Sequence, residues 1–117
     1  MYKLVILFGQ PSDLLEFDTG WQAFLGMVEQ MPGLRRESVS LVSSMIFGDS
    51  KLRPFKIHEL YFDDLPALEA ALASEAGQQA GEWLHRFTEG NFTLLTAPHQ
   101  EARPKDFRKK KGRARSA

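Results

Sequence analysis

Hydrophobic and polar positions in the first third of the chain follow two different periods. Residues 2–8 form an apolar run, interrupted only by Lys3, that predicts a buried strand. Residues 13–31 then place apolar side chains at intervals of three and four, as a buried helical face does: Leu14, Phe17, Trp21, Phe24, Leu25, Val28 and Met31. Asp13 and Glu16 have the spacing of a capping box at the start of this helix. Gly20 and Gly26 are expected to weaken it locally.

Further along, the pattern predicts three more strands and two more helices. Residues 34–47 alternate in the manner of a long strand, and its serines indicate an edge position or a polar lining. Residues 55–62 predict a third strand and residues 91–97 a fourth. Between them, Asp63-Asp64-Leu65-Pro66 is typical of a helix start. A second helix is expected to restart at Ser74-Glu75 and to run to about Phe87.

The resulting order, β-α-β-β-α-α-β, predicts an α+β domain of ferredoxin-like type. Right-handed crossovers would build one four-stranded antiparallel sheet, with the first and third strands central and the helices on one face. The other face then needs a cover, because residues such as Val5, Leu7, Ile57 and Tyr61 would lie on it. With no further helix available, the pattern indicates a homodimer in which a second copy supplies that cover.

At this level of detail the chain resembles the EthD-like family of the dimeric α/β-barrel superfamily. The matching segments, spread over residues 2–97, are Lys3 to Phe8, Pro11, Phe17 with Trp21, Met31-Pro32-Gly33-Leu34-Arg35-Arg36, Glu59-Leu60-Tyr61-Phe62-Asp63-Asp64-Leu65 with Leu68, Ala71 and Leu72, Ala73-Ser74 with Gly77, and Phe87 with Gly90. One position departs from the family, in which a His commonly follows the helix tryptophan by four residues. Here that residue is Leu25, so chemistry that depends on this histidine is not expected.

The resemblance implies a homodimer whose two sheets face each other as a barrel, and a cavity in each subunit between sheet and helices. Relatives in the superfamily include cofactor-free monooxygenases, polyketide cyclases, decarboxylases and degradation-pathway accessory proteins. The expected function is therefore binding of a small hydrophobic, aromatic or polyketide-like compound without a cofactor, in a cofactor-independent enzyme or an accessory protein. Because one fold serves many chemistries, the resemblance leaves open whether the protein catalyses a reaction.

The composition of the chain excludes some kinds of site and of protein. The chain has 117 residues, enough for one domain, and 43% are hydrophobic. It has no cysteine, which excludes disulfides and zinc–thiolate sites and is compatible with a cytoplasmic location. The apolar run from Leu4 to Phe8 is too short for a signal-peptide core, and no stretch approaches the length of a membrane span.

The candidate site residues lie on the predicted central strands. Lys3 and Val5 share one face of the first strand, and Ile57, Glu59 and Tyr61 share one face of the third. One hypothesis is a cavity in which Glu59, with a raised pKa, acts as a general base and Tyr61 donates a hydrogen bond. The other, which is favoured, is a structural ion pair between Lys3 and Glu59 or a dimer contact.

Trp21 and the histidines add further candidates. Trp21 could stack on an aromatic ligand, although its place in an apolar stripe is more typical of a core residue. His58, His85 and His99 lack metal-ligand spacing, so no metal site is predicted. Each is expected at the surface or half-buried, and His85 is a ligand-binding candidate because its helix end could border the cavity mouth.

The last residues have a charge unlike the rest of the chain. Residues 1–102 contain 7 Lys or Arg and 14 Asp or Glu, whereas residues 103–117 contain 8 Lys or Arg and one acidic residue, Asp106. The domain is therefore placed at 1–98 and a basic, disordered tail at 99–117. The alternative function is a non-enzymatic dimeric module whose tail binds nucleic acid or another polyanion weakly, through Arg108, Lys109, Lys110, Lys111, Arg113 and Arg115.

Overall fold

The structure is a computed structural model that describes residues 1–109, with the backbone alone for residues 107–109. Its elements are β1 (Tyr2–Phe8), α1 (Leu14–Val28), β2 (Arg36–Leu41), a 3-10 turn (Ser50–Leu52), β3 (Lys56–Phe62), α2 (Leu65–Ala73), α3 (Glu75–Thr88), β4 (Phe92–Pro98) and α4 (Pro104–Lys109). The strands form one antiparallel sheet in the order β2-β3-β1-β4. The predicted α+β, ferredoxin-like fold is confirmed, with β1 and β3 in the centre and β2 at an edge.

The helices begin where the sequence places capping residues. The Asp13 carboxylate accepts hydrogen bonds from the amides of Leu15 and Glu16 at the start of α1. Asp64 accepts from the amide of Ala67 at the start of α2. Each cap satisfies amides that have no partner within the helix, and this fixes the two entry points.

The predicted second strand is too long. It was expected to reach Phe47, but β2 ends at Leu41, which pairs with Lys56, the first residue of β3. One more backbone hydrogen bond follows, from the amide of Val42 to the carbonyl of Phe55 at 3.0 Å, and the chain then leaves the sheet. Ile46 and Phe47, expected within the strand, are instead 99% and 96% exposed.

The two faces of the sheet have different surroundings. The helix face, defined by Leu4, Ile6 and Phe8 of β1, is buried under α1, α2 and α3. Aromatic rings fill its centre, where the ring centre of Phe8 lies 5.5 Å from that of Phe17 and 5.4 Å from that of Trp21. The opposite face, here called the open face, contains Lys3, Val5 and Leu7 of β1 and is only half-buried in one chain.

The structure describes the first part of the predicted tail, residues 99–109. The amide of His99 donates to the carbonyl of Met1 at 2.9 Å, which turns the chain across the end of the sheet. Pro104–Lys109 forms the short helix α4. The remaining predicted tail residues, including Lys110, Lys111, Arg113 and Arg115, lie outside the described residues.

Candidate functional site

The residues predicted as a site do not form one cluster. Lys3, Val5, Ile57, Glu59 and Tyr61 share the open face, because Lys3 pairs with Tyr61 and Val5 with Glu59 across β1 and β3. Trp21 lies on the other side of the sheet, in the core beneath α1. His85 is exposed near the end of α3, with its ring 4.8 Å from that of Phe92. Phe92 pairs with Phe8, at the opposite end of β1 from Lys3.

On the open face, Glu59 is held by two partners. Lys3 Nζ donates to Glu59 Oε2 at 2.6 Å, and Ser38 Oγ donates to Glu59 Oε1 at 3.3 Å. The hydrogen bond from Lys3 is the main reason that the pKa of Glu59 lies below its usual value, and burial opposes it. This direction is opposite to the raised pKa that a general base would need. The geometry matches the favoured hypothesis, a cross-strand ion pair.

Tyr61 is enclosed on the same face by the segment after β4. The Arg36 guanidinium lies 4.0 Å from the ring centre of Tyr61, and the His99 ring meets it edge-on at 4.8 Å. Glu101 binds both flanking groups, as an ion pair with Arg36 and at 2.7 Å from His99 Nε2. The hydrogen bond with His99 is the first cause of the lowered pKa of Glu101. Tyr61 is thereby left only 4% exposed.

A second polar group lies on the helix face, and it was not among the predicted sites. His58 points towards α1 and is 0% exposed, so the prediction of a surface or half-buried position was wrong. Its Nε2 lies 2.8 Å from Glu37 Oε2 of the neighbouring strand β2. The Trp21 ring meets the His58 ring edge-on at 4.8 Å. We call His58, Glu37, Trp21 and the nearby Lys56 the His58 cluster.

The protonation of His58 follows from its surroundings. Burial is the largest cause of the lowered pKa of His58, and the hydrogen bond with Glu37 opposes it. In the neutral ring one nitrogen carries the proton, and a carboxylate can only accept, so Nε2 donates to Glu37 and Nδ1 is a bare acceptor. Nδ1 is buried and has no hydrogen-bond partner among the described residues. The ring therefore presents an unused acceptor within the core.

Lys56 lies on the same face of β3 as His58. Its Nζ is 3.9 Å from the ring centre of Trp21, 5.3 Å from that of Phe17 and 6.0 Å from that of Phe55. Desolvation by these apolar neighbours lowers the pKa of Lys56, and the charge of Asp18 opposes this. An amine in such a cage is more readily deprotonated than a lysine in water.

Apolar side chains on β2 mark the side from which the His58 cluster could be reached. Val39 pairs with His58 and Leu41 pairs with Lys56, so both lie on the helix face beside the cluster. They are nevertheless 47% and 64% exposed. Glu37, the partner of His58, retains 24% of its side-chain exposure. At the β2 edge of the sheet, the exposed apolar side chains of Val39 and Leu41 thus lie next to the buried, polar His58.

A separate groove opens at one end of the sheet. It measures about 260 Å³ and lies between the loop that precedes α1 and the turn that precedes β4. Phe17 and Phe87 form its apolar part, and Glu16 and Glu89 are among its polar residues. None of the predicted site residues within residues 1–106 lines it. It is a surface feature distinct from the cavity between sheet and helices that the resemblance implies.

Residues 1–109 contain neither a metal-binding cluster nor a membrane-spanning helix. No group of three or more histidine, aspartate or glutamate side chains there could hold a metal ion. Over the same range no helix combines the length and the apolar character needed to cross a membrane. Of the predicted polyanion-binding residues, Arg108 and Lys109 belong to α4, and the tail's function stays a prediction.

Comparison with known proteins places this fold. No family model matches the chain, and no curated protein matches it. Among solved structures, an EthD family protein from Bacillus halodurans superimposes with a TM-score of 0.78 at 28% sequence identity. The match covers 86% of this chain and 99% of that one. The chain is EthD-like. The resemblance inferred from the sequence is thereby confirmed.

More distant structures share the fold of this EthD-like chain. A dimeric protein of unknown function with a ferredoxin-like fold, from Bacteroides fragilis, has a TM-score of 0.60 at 16% identity, covering 84% of this chain and 95% of that one. SnoaB, a cofactor-independent oxygenase from Streptomyces nogalater, has a TM-score of 0.62 at 14% identity, covering 88% and 96%. At these identities the likeness concerns the fold alone.

One feature of the sequence of this EthD-like chain indicates part of the His58 cluster. Lys56 and His58 alternate with Leu60 and Phe62, which are buried, so the period of two places all four on one face. Glu37 could not be identified in this way, because its pairing with His58 depends on the register between β2 and β3.

Proposed function

We propose that this EthD-like protein is a homodimer that binds a small aromatic or polyketide-like compound bearing a hydroxyl group, without a cofactor. The observation that supports it is Nδ1 of His58, which is buried beside Trp21 and has no hydrogen-bond partner in the part of the chain that the structure describes. The homodimer is proposed because the open face lacks a cover in one chain and because one structure with the same fold, from Bacteroides fragilis, is of a dimeric protein.

An unpaired buried acceptor favours a ligand that can donate to it. Leaving such a group without a hydrogen bond costs roughly 1–3 kcal/mol, so native proteins rarely retain one without a reason. A phenolic or enolic hydroxyl would donate to Nδ1, while its ring would replace core contacts against Trp21. The exposed Val39 and Leu41 supply an apolar path to this position from the edge of the sheet.

The same pair of residues can move a proton. A hydroxyl bound at His58 Nδ1 can transfer its proton to the ring, and Glu37 at Nε2 stabilises the imidazolium that forms. Glu37 also fixes the tautomer, because its carboxylate holds the proton on Nε2. This provides general-base chemistry from side chains alone, and SnoaB shows that the fold accommodates a cofactor-independent oxygenase.

A ligand titration tests the proposal. Phenols and hydroxylated polyketide-like compounds are titrated against the wild type, with fluorescence of Trp21 and Trp83 as the readout. His58→Gln should weaken binding about tenfold, which corresponds to the loss of one hydrogen bond. His85→Gln is the matched control, because His85 is exposed and lies beside Phe92. Equal affinities in all three proteins, or no binding by the wild type, would contradict the proposal.

A further inference from the structure

Lys56 has surroundings that the proposed binding function does not use. Three aromatic rings, those of Trp21, Phe17 and Phe55, lie within 6.0 Å of its Nζ. The residue as a whole is 9% exposed. Surface lysines are usually extended into water, so enclosure of this ammonium group by rings needs an explanation.

Two effects on the amine oppose each other. The ring faces attract the ammonium form, and Asp18 adds a favourable charge. Burial removes water from the same group and favours the neutral amine, and it lowers the pKa of Lys56 from its ordinary value of 10.5 by more than the charge of Asp18 raises it. The neutral amine is the form that attacks a carbonyl carbon.

Lys56 lies near an acid–base pair, His58 and Glu37. His58 lies two residues along β3 on the same face, and the two side chains interact electrostatically, since the charge of Lys56 contributes to the lowered pKa of His58. Glu37 bonds to His58 from β2. An aromatic compound that reaches Trp21 would therefore lie near both the amine of Lys56 and the His58–Glu37 pair.

We propose that Lys56 forms an imine with aromatic aldehydes that enter the His58 cluster. The inference rests on the proposed function in that the aldehyde uses the same approach, past Val39 and Leu41. In the reaction the amine nitrogen bonds to the carbonyl carbon, and the carbonyl oxygen leaves as water with the two protons lost from nitrogen. Neither an oxidant nor a reductant is needed, and hydrolysis by one water reverses the step.

The test is reductive trapping with 4-hydroxybenzaldehyde. The protein is incubated with the aldehyde and sodium cyanoborohydride, which delivers hydride to the imine carbon and makes the bond permanent. Peptide mass spectrometry then gives the rate of labelling at each lysine. Lys56 should be labelled about tenfold faster than Lys51, an exposed lysine in the 3-10 turn that serves as an internal control.

Two matched variants test whether the fast labelling comes from Lys56. Lys56→Arg keeps a cation in the cage but removes the reactive amine, so the fast labelling should disappear, whereas Lys51→Arg should leave it unchanged. Circular dichroism verifies that both variants are folded. Labelling of Lys56 no faster than that of Lys51, or fast labelling that survives Lys56→Arg, would overturn the inference.

A parallel titration separates this inference from the proposed function. 4-Hydroxybenzyl alcohol has the same ring and hydroxyl but no carbonyl, and its binding is followed by tryptophan fluorescence. Binding of the alcohol without trapping of the aldehyde would refute the imine and leave the proposed function in place. Trapping at Lys56 without binding of the alcohol would support the imine and contradict the hydroxyl-binding function.

Discussion

Two residues of β3 that are adjacent in sequence, His58 and Glu59, have opposite electrostatic environments. Glu59 faces the open face, where Lys3 and Ser38 stabilise its charged form. His58 faces the core, where burial stabilises its neutral form. The difference follows from the alternation of a strand, which directs successive side chains to opposite faces. At the scale of single residues, the open face contains the ion pair between Lys3 and Glu59, and the helix face contains a hydrogen-bond acceptor, Nδ1 of His58.

The first prediction concerns Glu59. Glu59→Gln removes the charge that pairs with Lys3, and the expected loss of stability is on the order of 1–3 kcal/mol, as for a part-buried partner left unpaired. The pKa of Glu59 is lowered in the folded state, so the ion pair contributes stability above the ordinary pKa of 4.5 and loses it as pH falls through the folded value. Urea unfolding at pH 7 and at pH 3 measures this: the difference between wild type and variant should shrink at the lower pH.

An exposed ion pair provides the control for this prediction. Arg35 and Asp63 form an ion pair with two hydrogen bonds, but their side chains are 60% and 57% exposed. Asp63→Asn should therefore leave stability unchanged within error at both pH values. If Glu59→Gln is equally silent while ligand titrations change, Glu59 belongs to the binding site and the structural interpretation is wrong.

At the scale of elements, close contact between α1 and α3 decides how the helices cover the sheet. Trp83 Nε1 on α3 donates to the carbonyl of Gly20 on α1 at 2.9 Å. A Cβ added at Gly20 would lie 2.7 Å from the Cβ of Phe87, too close for two carbon atoms. Gly20 is therefore the position at which the two helices approach, rather than only a weak point in α1.

The second prediction compares two glycines of α1. Gly20→Ala should destabilise the protein by about 1–3 kcal/mol, because the new methyl group overpacks the α1–α3 contact. Gly26→Ala should stabilise it by roughly 0.5–1 kcal/mol, because no described atom lies within 4 Å of an added Cβ and alanine favours the helix. Thermal and urea unfolding of both variants measures the two signs. Equal effects at the two positions would show that helix propensity alone controls α1.

At the scale of the whole molecule, the open face is an apolar surface that remains uncovered in a single chain. Val5, Leu7 and Ile57 are half-buried on it, and Leu95 of β4 is 48% exposed. Within the described residues, the segment after β4 contacts this face at the end that contains Tyr61 and Arg36. An apolar sheet face left open in one chain is the kind of surface that a second copy covers.

The third prediction is the oligomeric state. Sedimentation equilibrium at low micromolar concentration should give twice the chain mass of 13.3 kDa. Leu95→Lys places a charge on the open face and should shift the protein towards monomer. Leu94→Lys is the matched control, because Leu94 is 46% exposed on the same strand but pairs with Ile6 on the helix face. A wild-type monomer, or equal dissociation in both variants, would contradict the barrel dimer.

The sequence alone determined the order of the elements and most of their ends. The period of the apolar residues distinguished helix from strand, and Asp13 and Asp64 marked helix starts, because these signals act between residues close in the chain. The same alternation placed Lys3 and Glu59 on one face and so predicted their ion pair. The resemblance to EthD-like proteins also followed from local segments in a particular order.

Only the tertiary structure decided the contacts of the polar side chains on the helix face. The strand alternation already separated Val5 and Leu7, expected on the face without helices, from Leu4, Ile6 and Phe8, which the helices bury. The burial of His58 depends on Trp21 and Glu37, which are distant in sequence and meet it through helix packing and strand register. Contacts of this kind are properties of the packed chain, and no local period of hydrophobic residues encodes them.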